Sequence, residues 1–191
     1  MHQGEIAVIV VVAIIVVLAV AWYTMRRRRT EELHRRFGPE YERVAHQRGT
    51  SQADAILAER ERRVERLHLR RLSADERERF ISQWRAIQVH FVDDPAGAVT
   101  DADLLVGQLM EARGYPLGDF EQRAADISVD HPRVVENYRA AHEIALRHRR
   151  GEANTEDLRN SMIYYRTLFD DLLETRTASP ETTTATRREV A

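Results

Sequence analysis

An uncharged apolar run near the N-terminus, IAVIVVVAIIVVLAVAWY from Ile6 to Tyr23, constrains this chain more than any other feature. Its 18 residues, at about 1.5 Å of helical rise each, would cover about 27 Å, close to the thickness of a bilayer's hydrocarbon core. The run has no polar side, so it suits lipid better than the surface of a small domain. Trp22 and Tyr23 close it where amphipathic rings sit among headgroups, and Arg26, Arg27, Arg28 and Arg29 follow at once. Arginines beside a span stay on the cytoplasmic side. The asymmetry therefore predicts a short external N-terminus over 1–5, a transmembrane helix over 6–24 and a cytoplasmic body. A cleaved signal peptide is the rival, because Ala19-Val20-Ala21 has the small residues a signal peptidase needs. Signal peptides, however, carry their charge before an apolar stretch of about 7 to 15 residues.

Charge divides the remainder. Residues 26–72 hold 14 Arg against 8 Asp and Glu, a net of +6, whereas residues 73–175 hold 12 Arg against 20 acids, a net of −8. A basic stretch beside a bilayer is drawn to anionic headgroups and an acidic one is repelled, which predicts a basic juxtamembrane part over 25–72 and an acidic module beyond it. With 43% hydrophobic and 31% charged residues the body is expected to fold. The tail over 176–191 lacks large apolar residues and is expected to be disordered.

Helical spacing runs throughout, and no alternating strand pattern of useful length occurs, so the fold class is expected to be all-α. Gly38-Pro39 separates two short helices. Ser51 is the expected cap of a helix reaching about Leu72, with Ile56, Leu57, Val64 and Leu67 as a thin stripe among alternating Arg and Glu, which reads as a charged, coiled-coil-like stalk. Ser73-Ala74-Asp75-Glu76 is a capping box. The helix it opens carries Phe80, Ile81, Trp84, Ile87 and Phe91 on one side. Asp94-Pro95 opens a second helix, Asp119 a short one, Asp130 or His131 before Pro132 another, and Asn154 or Thr155 the last. Residues 73–175 are thus expected to be a bundle of four longer helices and one short helix.

The strings RRFGPEYERV at 35–44, FVDDPAGAV at 91–99 and ARGYPLGDFEQRAADISVDHPRVVENYRAAHEIA at 112–145 resemble those of a family of uncharacterised bacterial single-pass membrane-anchored proteins with a helical C-terminal module. The resemblance covers about 30–173. It implies a bacterial source, hence a bacterial plasma membrane, and carries no activity, ligand or site residue.

Chemistry-bearing motifs are sparse. The chain has no cysteine, and all 29 of its Lys and Arg residues are arginine, which excludes thiolate ligands, a cysteine nucleophile, Schiff-base lysine and a P-loop lysine. His142-Glu143 begins like HExxH, but the second histidine position is Leu146, and His148 points elsewhere on a helix. Asp126, Asp130 and His131, beside Arg123 and Arg133, sit at helix ends where acids serve as caps. GxSxG and GxGxxG are absent. The sequence names no catalytic residue, cofactor or metal. The arginines of 26–71 alternate with glutamate after the first four, which argues against nucleic acid.

Arg113, Tyr115, Tyr138, Arg139, His142, Tyr164, Tyr165 and Arg166 combine the residue types enriched at binding hot spots, and they equally suit the edge of a bundle core. The function expected from all this is a non-catalytic protein-interaction module, an adaptor or scaffold, tethered at the inner face of the membrane and meeting a protein partner. Two alternatives stand beside it. One is an enzyme assembled from scattered groups around His142, with Glu143, Tyr138 and Asp130. The other is a self-associating, homo-oligomeric element of the envelope.

Overall fold

The computed structural model describes residues 2–174, with side chains from residue 11 onward. These form eight helices and, among the described residues, no strand: α1 (His2–Phe37), α2 (Pro39–Arg48), α3 (Thr50–Glu65), α4 (Ala74–Asp93), α5 (Pro95–Ala112), α6 (Phe120–Asp130), α7 (Val135–Arg149) and α8 (Thr155–Glu174). The all-α expectation holds. The expected disordered tail over 176–191, and the side chains of the expected external N-terminus over 1–5, lie outside the described residues. Contacts divide the chain into two compact units that interleave in sequence, Met1–Arg66 with Asp119–Glu136, and Leu67–Gly118 with Asn137–Ala191.

In the first unit α1 continues unbroken from the apolar run through the arginines to Phe37. Gly38, at φ 49°, takes a conformation that side chains disfavour, and Pro39 then starts α2 where its missing N–H costs nothing. Gly49, at φ 83°, reverses the chain again before α3. The segment expected to be a stalk is therefore a folded-back hairpin of helices. Leu33, Phe37, Tyr41, Val44, Ala53, Leu57 and Val64 are buried in it, together with Ala124 and Ile127 of α6. The stripe on α3 looked too thin for a core because α6, far away in sequence, supplies the opposing surface. Gly49 rather than Ser51 caps α3, and the helix ends at Glu65 instead of Leu72.

Two buried carboxylates tie this unit together. Glu40 accepts from Arg43 at 2.7 Å and from Arg60 at 2.6 Å. Asp126 accepts from Arg63 at 3.1 Å and from Gln122 at 2.9 Å. Burial raises the Asp126 pKa above the usual carboxylate value, against the opposing pull of Arg63. Tyr41 donates to Asp54 at 3.0 Å, and burial together with that carboxylate pushes its phenol up to about 12.

The second unit holds α4, α5, α8 and nearly all of α7. Ser73 and Glu76 form the expected capping box, with Glu76 N–H donating to Ser73 Oγ at 3.2 Å and Ser73 N–H donating to Glu76 at 2.9 Å. Asp94 caps α5 through Gly97 N–H at 2.9 Å, and Asn154 caps α8 through Asp157 N–H at 2.9 Å. Trp84, 5% exposed, stacks on Phe169 with ring centroids 4.8 Å apart. Ala102, Leu105, Leu109, Tyr138, Leu168 and Leu172 fill the rest of the interior. Residues 67–72 run past the end of α5, where Arg70 N–H donates to Arg113 O at 2.9 Å. Gly114, at φ 97°, lets the His68 carbonyl approach so closely that a Cβ would sit 2.7 Å from it.

All five helices expected over 73–175 are present, but the short one, α6, packs with α1 and α3. Contacts therefore do not divide the chain at 72/73, where the charge pattern had placed a boundary. Asp119 does cap α6, accepting from Gln122 N–H at 2.8 Å.

Candidate functional site

Half of the aromatic and arginine cluster singled out in the sequence is interior. Tyr115, Tyr138, Tyr165 and Arg113 are all buried. Tyr138 and Tyr165 meet edge to face at 6.3 Å, and the Tyr165 hydroxyl donates to Asp103 at 3.0 Å. Arg113 donates to the Leu172 carbonyl at 2.6 Å, satisfying an acceptor that the C-terminal end of α8 would otherwise leave open. Arg139, His142 and Tyr164 are half-buried, and Arg166 is exposed and paired with Asp170 at 3.4 Å. Of the alternative set around His142, Asp130 belongs to the first unit while Tyr138, Glu143 and His142 belong to the second. Among the described residues no three His, Asp or Glu side chains are grouped as metal ligands.

What the sequence did not single out is how little of α4 is covered. Of Phe80, Ile81, Trp84, Ile87 and Phe91, only Trp84 is buried, while Val89 and Val92 are largely exposed, Val92 to 81%. Leu104 of α5 is also exposed, and with Ile87 and Ala86 it lines a shallow apolar groove of about 320 Å³ between the two helices. Gln83, Asp101 and Gln108 form its polar edge, and Asp93 and Asp94 lie exposed at the end of α4. Helical periodicity marks an apolar face without telling whether the fold covers it, so the strongly amphipathic face of this helix reads in the sequence as core, anchored by Trp84, and not as an open surface.

Along α4 and α8 a second groove, of about 270 Å³, has Trp84 and Phe169 at its floor and Arg77, Arg85 and Arg166 at its edges. Arg77 is already engaged, donating to the Leu173 carbonyl at 3.0 Å.

In the first unit, Trp22 is 63% exposed and Tyr23 is similarly open. The Arg26 guanidinium lies 5.5 Å from the centroid of the Trp22 ring, a cation–π contact. Arg27 pairs with Glu31 at 3.1 Å, and Arg28 and Arg29 are exposed. Val11, Val12, Ile14, Ile15, Val16, Val17, Leu18 and Val20 are exposed around the helix. Among the described residues no helix is long and apolar enough to cross a membrane; the first residues of the sequence's apolar run precede the described side chains.

No protein-family model, curated protein or solved structure matches the chain.

Proposed function

We propose that the chain is a non-catalytic adaptor, anchored across a bacterial plasma membrane by the apolar run of Ile6–Tyr23 with its body at the inner face, that engages a protein partner through the exposed α4–α5 face. The observation that carries the partner assignment is the open groove between α4 and α5, where Ala86, Ile87 and the exposed Leu104 present apolar surface. An exposed apolar groove of this kind marks an interaction site. Its shape, a groove between two helices, takes an amphipathic helix laying apolar side chains at three- and four-residue spacing. The Asp101 carboxylate at the groove's edge favours a helix with a basic flank.

The anchor is supported by the 18-residue uncharged run, by Trp22 and Tyr23 at its end and by four successive arginines beyond. A tether confines the module to a thin layer and raises its effective concentration toward membrane-proximal partners without any new contact.

Site-specific photo-crosslinking of the full chain in its native membranes tests both parts. A crosslinker at Ala86 or Leu104 should trap one protein through a basic-flanked amphipathic segment, and carbonate washing should leave the chain with the vesicles. Adducts no different from those obtained at Arg159, exposed on α8, would remove the partner assignment. Release by carbonate would remove the anchor.

A further inference from the structure

The register of the first unit returns the chain to the point where the apolar run ends. Arg26 donates to Ser51 at 3.1 Å, Thr30 donates to Asp54 at 2.6 Å, and Arg36 donates to Glu61 at 2.9 Å, with sequence separations of 25, 24 and 25. A constant offset means that α1 and α3 run parallel and in step. Between them α2, with 10 residues, travels back about 15 Å, nearly the distance α1 covers from Arg26 to Phe37 at about 1.5 Å per residue. The turn over 46–52 therefore lies level with Arg26.

Charge is sorted along the same axis. Around the turn there is no Asp or Glu from 43 to 53, and on α1 none from 24 to 30. His46, Arg48, Thr50 and Ser51 are exposed there, as are Arg26 and Arg28. Carboxylates begin only further from this level and are largely spoken for, Glu31 by Arg27 and Glu61 by Arg36. From this we infer that the α2–α3 turn is a second membrane-contacting surface, which together with Arg26 and Arg28 holds the phosphate headgroups of anionic phospholipid and fixes the first unit upright on the bilayer. The inference rests on the anchored reading above. Arginine offers planar N–H donors matched to phosphate oxygens, and the attraction of an anionic surface fades over a screening length of about 8 Å. Arg62, near the far end of α3 and about 16 Å from Ser51 by helical rise, lies beyond that reach.

Because the chain has no cysteine, single spin labels can be placed directly, at Gln47→Cys beside the turn and at Arg62→Cys near the far end of α3. The full chain in phosphatidylcholine nanodiscs, with or without phosphatidylglycerol, is probed with a nickel-chelating lipid that relaxes labels at the headgroups. Relaxation at 47 should exceed that at 62 several-fold when phosphatidylglycerol is present, and fall toward the phosphatidylcholine level in the Arg28→Gln/Arg48→Gln variant. Equal relaxation at 47 and 62 in a retained chain overturns the inference and leaves the anchor intact. Relaxation at 47 that ignores both phosphatidylglycerol and the two arginines overturns the headgroup assignment. A chain that fails to enter nanodiscs, and that carbonate strips from vesicles, overturns anchor and inference together.

Discussion

Glu40 is the residue on which the first unit's polar interior turns. It is fully buried, and Arg43 and Arg60 converge on one of its oxygens while keeping side-chain exposures of 26% and 16%. The Arg43 pKa is raised, first by its hydrogen bond to Glu40. Removing one member of a buried ion pair costs about 3–5 kcal/mol because the remaining charge stays desolvated. Here the stranded guanidinium groups keep access to water, so Glu40→Ala should destabilise the first unit by about 3 kcal/mol, at the low end of that range. Chemical denaturation followed by far-UV circular dichroism measures this, with Glu40→Gln, which keeps the shape and loses the charge, expected between the two. The sequence did not expose this residue's role. Glu40 sits in FGPEYERV as one glutamate among several, and only the return of α3 brings Arg60 to it from 20 positions away.

Helix boundaries were the most legible elements, because a cap is a local interaction between residues three apart. Ser73 with Glu76, Asp94 with Pro95, and Asp119 could all be read from spacing alone, and all stand where expected. Ser51 failed as a cap because Gly49, two residues earlier, already reverses the chain. The capping box makes a pH-dependent prediction. Arg70 donates to Glu76 at 2.7 and 2.9 Å, and with the Ser73 backbone N–H it holds the Glu76 carboxyl down at about 2, below its ordinary 4.5. A carboxyl whose pKa is depressed by folding contributes stability above its unfolded value and loses it as the pH falls through the folded one. Glu76→Gln should therefore be less stable than the parent at pH 7. The gap should close as the pH drops from about 4.5 toward about 2, which parallel acid titrations of the two proteins monitored by tryptophan fluorescence would show.

At the scale of the whole molecule the five helices over 73–175 were countable and the grouping was not. Ahead of them, the expected span over 6–24 and the short helix before Gly38 are one continuous helix, α1. Period and caps locate each helix, but no local signal says that α6 packs with helices that precede it by more than fifty residues of chain. The charge change near residue 72 mimicked a domain boundary, whereas the contacts divide the chain at 66/67, 118/119 and 136/137. The site was legible to a similar degree. Tyrosines and arginines on neighbouring helices were visible, yet half of that group went into the interior, and the apolar groove of the second unit lies instead between α4 and α5. A fragment of 73–175 should accordingly leave Ala124 and Ile127 of α6 without their neighbours from the first unit. Amides of 120–130 should then exchange hydrogen rapidly in the fragment and slowly in the full chain, while those of α5 and α8 stay protected in both. Equal protection of α6 in the two would show that it does not depend on the first unit.

The placement of α6 also bears on synthesis. A ribosome releases α1, α2 and α3 first, then must deliver 67–118 before the helix that seals their apolar side emerges. During that interval Leu57 and Val64 lack part of their covering, a state in which nascent chains are prone to aggregate. The unit that begins first is thus finished late, and any pause in translation between the two segments prolongs its vulnerable period.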